Sequence, residues 1–298
     1  MNNQPKKYAI YTAMVGGYDE IMQPVVLDDR FDYILFSNDI KEDRVGVWQV
    51  RPIAYTNPDN TRICRYVKTH PEELLPDYEF SIWMDSNIQI ITPFVYERSI
   101  DLYLSRVLVS TIFHVDRQCI YDEAFEVLLF RVESEKIILN WCHRLVREKY
   151  PKNNGLGETG LMFRIHSISE VHMFDELWWK CIDKYSKRDQ LSFDYVMWKL
   201  GMNYEYFFPK LMTVLNSPYV RYHHHANESK KFLLNTILEP WLVRYYRKVP
   251  TSYEEIKKVY YCIYQMPFSS MWSHLLGQIY RAKYFVKRQQ KNIIRFLR

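Results

Sequence analysis

The chain has 298 residues, a length that suits one large α/β domain or a domain with an appendage. Hydrophobic residues make up 48% and charged residues 25%, which excludes a disordered or collagenous chain. The net charge of +5 is mild, and the seven Lys and Arg between Arg281 and Arg298 leave the rest close to neutral, which weakens any general case for nucleic-acid binding.

In chain order, Lys7 to Val15 reads as a buried first strand closed by Gly16-Gly17. Phe31 to Ser37 is a second short strand that ends in polar residues, and Trp48 to Ile53 is a third. Asn60 to His70 has helical spacing, with Ile63, Tyr66 and Val67 on one side and Arg62, Arg65 and Lys68 on the other. Tyr78 to Trp83 is a strand that runs into Met84-Asp85-Ser86-Asn87, and Ile88 to Ile91 follows as another. Tyr121 to Lys149, free of Pro and Gly, predicts one long amphipathic helix. Asn153 to Gly160 reads as a glycine-rich loop leading to a strand at Leu161 to His166. Glu176 to Tyr185 and Gln190 to Leu200 complete the helices of this region.

Alternation of this kind predicts an α/β fold with a mainly parallel sheet flanked by helices. Ligands of such sheets bind beyond the carboxyl ends of the strands, where the polar residues after Val15, Phe36 and Trp83 all fall. Two regions are expected: a catalytic domain over residues 1–230 and a helical, basic, aromatic C-terminal region over residues 231–298. The five cysteines are odd in number, scattered and never paired as C-x-x-C, so a reducing cytoplasm is the expectation rather than a disulfide framework or a zinc site. The start of the chain has no signal-peptide core, and no apolar run approaches the ~20 residues that cross a bilayer.

Chemistry concentrates at Asp85 and Asn87. A carboxylate and an amide two positions apart, just past a buried strand, offer hard oxygen ligands to Mg²⁺ or Mn²⁺ bridging two phosphates. The competing reading is a strand end closed by two turn-forming residues. In the His223-His224-His225 run, residues 223 and 225 of an extended chain share a face, so one of them is a candidate to complete that coordination; a surface polar run is the alternative. Asp189, before an apolar helical run, either caps that helix or serves as a catalytic carboxylate, with Arg188 and Gln190 beside it as acceptor contacts. Glu158 is a second candidate for acid–base work. His114 and Arg117 are candidate acceptor ligands or part of an internal ion-pair network.

The order of segments resembles a GT-A glycosyltransferase family, long carried as an uncharacterised domain, that includes plant mucilage and pectin galacturonosyltransferase-like proteins. The resemblance runs through Ile10-Tyr11-Thr12-Ala13, Gly16-Gly17-Tyr18-Asp19, Asp32 to Ser37, Arg65-Tyr66-Val67-Lys68, Ser81 to Asn87, Arg164 with His166, Ser186 to Phe193 and Tyr222-His223. This chain departs from the family pattern at Ser86, a position often Gly, and at His114-Val115-Asp116-Arg117, which lacks a proline after the His. The resemblance covers roughly residues 7 to 228 and points to a bacterial member with a GT-A-like fold. It implies a UDP-sugar donor bordered by Tyr11, Thr12 and Ala13, with Arg65 and Lys68 one helical turn apart against the diphosphate. The expected activity is hexosyl or uronosyl transfer onto a growing surface glycan, a glycan or lipid-linked glycan acceptor, with Mn²⁺ or Mg²⁺ as cofactor.

Two rivals stand beside it: a nucleotidyltransferase on a similar sheet, and a non-catalytic glycan-binding or membrane-associated scaffold. From Trp272 to Arg298, apolar residues at Leu275, Ile279, Ala282, Val286, Ile293 and Leu297 alternate with basic ones as in an amphipathic helix. The expectation is a cytoplasmic protein, peripheral on an anionic inner membrane face, with packing onto the domain or dimerisation as the alternatives.

Overall fold

The structure, a computed structural model, describes residues 8–17, 20–129 and 132–223. It forms two compact units. The first, through Ile120 and again from Asn153, holds every described strand; among the described residues the second is Tyr121–Lys152.

The first unit opens with β1 (Tyr8–Ala13) and β2 (Phe31–Phe36), followed by the short β3 (Arg44–Val45) and β4 (Trp48–Arg51). Helices α1 (Asn60–Thr69) and α2 (Pro71–Leu74) lead to β5 (Phe80–Met84) and β6 (Ile88–Ile90). Then come α3 (Phe94–Leu104) and β7 (Val109–Phe113). The second unit contributes α4 (Ile120–Leu129) and α5 (Glu135–Arg147). The chain returns to the first unit with β8 (Gly157–Arg164), α6 (Ser169–Lys184), α7 (Gln190–Leu200), β9 (Glu205–Tyr206) and β10 (Val220–Tyr222).

Eight strands make one sheet in the order β3-β4-β2-β1-β5-β8-β7-β9, and β10 pairs with β6 in a separate antiparallel ribbon. β4, β2, β1 and β5 are joined by parallel ladders; β8 runs antiparallel to both β5 and β7, and β9 is parallel to β7. Six of the eight strands therefore share one direction, with β3 and β8 opposed. β5 is buried at every position and β1 at all but its first, as a central strand covered on both faces requires. The core gathers Ile10, Leu35, Ile82, Met84, Phe163 and their neighbours.

Local chemistry explains the helices that position the site. Asp59 caps α1, its Oδ1 accepting from the Thr61 amide at 3.0 Å, and Ile63 and Val67 face inward. Along α6, Val171, Phe174, Trp178, Cys181 and Ile182 are buried at helical spacing, and this helix packs on α1 and α7. Gly201 ends α7 in the left-handed region at φ 65°.

Two sequence expectations are corrected. The single helix expected over Tyr121 to Lys149 is two, because Ser134 takes an extended conformation (ψ 139°) and its Oγ accepts from the Ile137 amide, starting a new helix. The loop expected over Asn153 to Gly160 is already strand from Gly157. Residue 157 lies so close to Phe193 and Thr111, each 2.9 Å from where a Cβ would stand, that only glycine lets the strand pass. Its amide is held by Asp194 Oδ2 at 2.9 Å, and the β7–β8 ladder takes up a bulge at Thr111/Ile112. The expected C-terminal region over residues 231–298, including the Trp272–Arg298 helix, lies outside the described residues, as does His225. No described helix is long and apolar enough to cross a membrane.

Candidate active site

β1 and β5 run parallel, so their carboxyl ends meet at one edge of the sheet. β8 is antiparallel to β5 and brings its beginning to the same edge, where the Asp85 amide donates to the Gly160 carbonyl at 2.9 Å. The starts of α1 and α7 complete the rim. The result is a cleft of about 470 Å³ whose wall includes Ala13 to Gly16, Arg65 and Lys68 of α1, Asp85 and Ser86, Glu158 to Gly160, and Arg188 to Gln190.

Its electrostatic centre is Asp189. The carboxylate is 3% exposed and pairs with Lys68 Nζ through Oδ2, while Arg65 Nε lies 3.2 Å from Oδ1. Thr159 Oγ1 donates to Oδ2 at 2.9 Å. Burial alone would raise the carboxyl, but Arg65 and Lys68 together outweigh it and hold Asp189 well below the usual carboxylate range. Asp189 does not cap α7 with its side chain. It is an ionised counter-charge with little proton affinity, which makes it a poor general base. Lys68 is 1% exposed, its ammonium 5.5 Å from the Trp83 ring and 5.6 Å from the Trp178 ring; burial lowers its pKa against the pull of Asp189.

Beside this buried ion pair are donors with nothing to donate to. Arg188 Nε and Gln190 Nε2 are shielded from water, lack a hydrogen-bond partner and belong to side chains of the cleft wall. An unmatched buried donor costs roughly 1–3 kcal/mol, so its place at a cleft points to an absent acceptor. Asp85 is half-buried, its Oδ1 accepting from Trp83 Nε1 at 2.9 Å. Its Oδ2 overhangs Gly160, only 3.3 Å from where a Cβ would stand. The Cys64 thiol, also on the wall, is pushed up to about 11 by burial.

Residues 24–223 match the model of the TOD1/MUCI70 glycosyltransferase-like domain. The chain belongs to that family. The Arabidopsis thaliana protein named alkaline ceramidase TOD1 is 25% identical over 225 residues, which are 63% of this chain and 47% of that protein. The chain thus spans about half the length of this curated relative. Among solved structures, the apo form of the bifunctional glycosyltransferase WbbM aligns at 10% identity and a TM-score of 0.42, over 70% of this chain and 40% of that one. Mouse xyloside xylosyltransferase 1 in its apo form aligns at 10% identity and a TM-score of 0.41, over 67% of this chain and 84% of that one.

In this TOD1/MUCI70 domain the structure brings together Arg65, Lys68, Asp85, Glu158, Arg188, Asp189, Gln190 and Ala13 at one cleft. Other expected members stand elsewhere. Tyr11 and Thr12 are fully buried within β1 and do not reach the cleft; the Tyr11 hydroxyl instead donates to the Lys68 carbonyl at 3.0 Å. Asn87 is 3% exposed and donates through Nδ2 to the His223 carbonyl at 2.8 Å. His223 Nε2 meets Gln89 Oε1 at 3.0 Å. Neither Asn87 nor His223 is part of the cleft wall, and His225, the other histidine expected in the metal set, lies outside the described residues. Among the described residues, no three His, Cys, Asp or Glu side chains converge as a metal cluster. The β6–β10 ribbon pairs Ile88 with Tyr222 and occupies Asn87 Nδ2 and His223 Nε2 in its own hydrogen bonds.

His114 and Arg117, expected as acceptor ligands, hold each other: the Arg117 amide donates to His114 Nδ1 at 3.2 Å, and neither lines the cleft. Thr159 and Tyr222, like Asn60, Thr61 and Cys64, are members that the sequence expectations did not single out. Thr159 sits between glycines in what reads as a loop, and only the strand geometry of β8 aims its hydroxyl at Asp189. Tyr222 was legible as part of the family resemblance but not as cleft wall.

Proposed function

We propose that the cleft binds a nucleoside diphosphate sugar, of the UDP type, and transfers its glycosyl group to a hydroxyl of a glycan acceptor. The observation that carries this reading is the pair of buried, unmatched donors, Arg188 Nε and Gln190 Nε2, in one cleft wall with the cations Arg65 and Lys68 and the carboxylate of Asp85. Such a set fits an anion rich in acceptor oxygens. A second hollow of about 410 Å³, lined by Met14, Ile21, Ile40 and Val45 with Ser37 and Asp39, shares Met14 with the cleft and offers the base an apolar seat with polar edges.

As the bond from the anomeric carbon to the leaving phosphate oxygen breaks, negative charge grows on the diphosphate, where Arg65, Lys68 and Arg188 stabilise it from fixed positions. Asp189 keeps those side chains in place rather than moving a proton. Glu158, on the same wall, is the carboxylate assigned to receive the acceptor hydroxyl's proton. Asp85 would hold one divalent cation, Mn²⁺ or Mg²⁺, which would supply positive charge against the leaving diphosphate. The acceptor is assigned as a surface glycan or its lipid-linked precursor, approached from the cytoplasmic membrane face by means of residues 272–298.

The test is a thermal-shift screen of UDP, GDP and CMP with and without Mn²⁺, followed by donor hydrolysis and transfer assays. Binding of UDP with sugar release supports the reading, and full activity in Asp85→Ala removes the metal assignment. Ceramide hydrolysis without nucleotide binding would replace it with the activity in the Arabidopsis relative's name. Liposome flotation that is unchanged by deletion of residues 272–298 removes the membrane role.

A further inference from the structure

The interior end of α1 carries a second cluster of charge that the proposed reaction does not use. Arg164, the last residue of β8, is 0% exposed. One terminal nitrogen donates to Asp175 of α6; the other donates to the Tyr11 hydroxyl of β1 and to the Lys68 carbonyl. Tyr11 donates to that same carbonyl at 3.0 Å. The Lys68 carbonyl lies in the last turn of α1, where backbone acceptors lack helical partners and a positive charge is favoured. Asp175 is 4% exposed, so neither end of the Arg164–Asp175 pair is free to drift into water.

One residue, Lys68, thereby joins the two clusters. Its carbonyl is gripped by Arg164 and Tyr11, and its ammonium meets Asp189 in the cleft. Arg65 is one turn away on the same helix and the same carboxylate. A shift of α1 along its axis would move both cations together. We propose that Arg164, with Tyr11 and Asp175, is a positioning device that fixes the axial setting of α1 and so aims Lys68 and Arg65 at the diphosphate of the donor. This rests on the reading of the cleft given above. Arginine suits the task because its planar fork serves Asp175 on one nitrogen and two oxygens on the other; lysine keeps the charge but not the fork.

The experiment compares UDP with uridine by calorimetry on the 298-residue chain, in wild type, Tyr11→Phe and Arg164→Lys, with the fold of each checked by thermal unfolding. The expected result is a Kd for UDP weakened about 3- to 10-fold in Tyr11→Phe and further in Arg164→Lys, with the Kd for uridine unchanged. Loosening of the whole domain would weaken both ligands alike, and that outcome overturns the proposal. So does a wild-type UDP-to-uridine ratio in a folded Tyr11→Phe; this milder variant decides the matter if Arg164→Lys does not fold. A parallel arm follows acylation of Lys68 by acetic anhydride, which is expected to speed up in Tyr11→Phe as the ammonium loses its setting. Wild type that binds neither ligand overturns the diphosphate reading; the labelling arm then judges the positioning of Lys68 by itself, and an unchanged rate overturns it.

Discussion

Two clusters of charge hang on α1, and they differ in how fully their groups are matched. At the interior end, both terminal nitrogens of Arg164 are engaged and its counter-charge, Asp175, is buried with it, leaving only Arg164 Nε without a hydrogen-bond partner. At the cleft, Lys68 and Arg65 have only Asp189 between them, while Arg188 Nε and Gln190 Nε2 are shielded from water with no acceptor. A cluster whose charges are paired inside the core holds structure together; open donors at the wall of a cleft are placed to meet a ligand. The last turns of the same helix thus serve as a fixed part through the Lys68 carbonyl and as a receptor through the Lys68 and Arg65 side chains.

The contrast can be broken most forcefully from the interior. Asp175→Ala leaves Arg164 buried and unpaired, and the expected loss is about 3–5 kcal/mol in chemical denaturation. A loss under about 1 kcal/mol would mean that water or another group already satisfies Arg164. At the cleft, Arg188→Ala removes a donor with no partner, so stability should hold within about 0.5 kcal/mol. UDP affinity should instead fall about 10- to 100-fold by calorimetry, as for a lost bond to a charged group. Loss of stability with intact affinity would exchange the roles of the two clusters.

His166 sharpens the picture of the interior through pH. Burial pushes its imidazole down to about 4; its Nδ1 lies 3.0 Å from Ser81 Oγ and its Nε2 3.0 Å from the Leu75 carbonyl. A depressed folded pKa means that the unfolded chain takes the proton first. Stability from a neutral His166 is therefore complete above about 6.5 and is lost as pH falls toward 4, by about 3 kcal/mol over the whole window. Burial raises Asp194 to about 6, and that group acts in the opposite sense, losing stability as pH rises through its folded pKa. The quantity to measure is thus the stability difference between wild type and His166→Gln, which should shrink from pH 7 to pH 4. A pH-independent difference would show that folding leaves the His166 pKa unshifted.

The smallest expected effect lies at the cleft floor. Gly160→Ala places a methyl 3.3 Å from Asp85 Oδ2, so the carboxylate has to give by a few tenths of an ångström. The expected outcome is a few-fold loss of Mn²⁺-dependent UDP binding with the melting temperature unchanged. Unaltered metal dependence would show that Asp85 Oδ2 is not the atom that holds the cation.

Much of this was legible in the residues themselves. Apolar runs bounded by glycine and polar residues marked β1, β2 and β5, and α7 matches its expected span, Gln190 to Leu200. The spacing of Arg65 and Lys68 determined that they share a face, because three residues make nearly one helical turn. What no spacing could show was the partner of that face. Asp189 is more than a hundred residues away from both, and only the antiparallel entry of β8 and the packing of α6 against α1 and α7 bring it there with Thr159. The same holds for Asp85 and Asn87. Sequence placed both at the end of a strand, but the β6–β10 ribbon drew the amide to His223 and left the carboxylate at the cleft. Local propensity follows from a residue and its near neighbours; the matching of a buried charge depends on which distant segment the sheet order sets beside it.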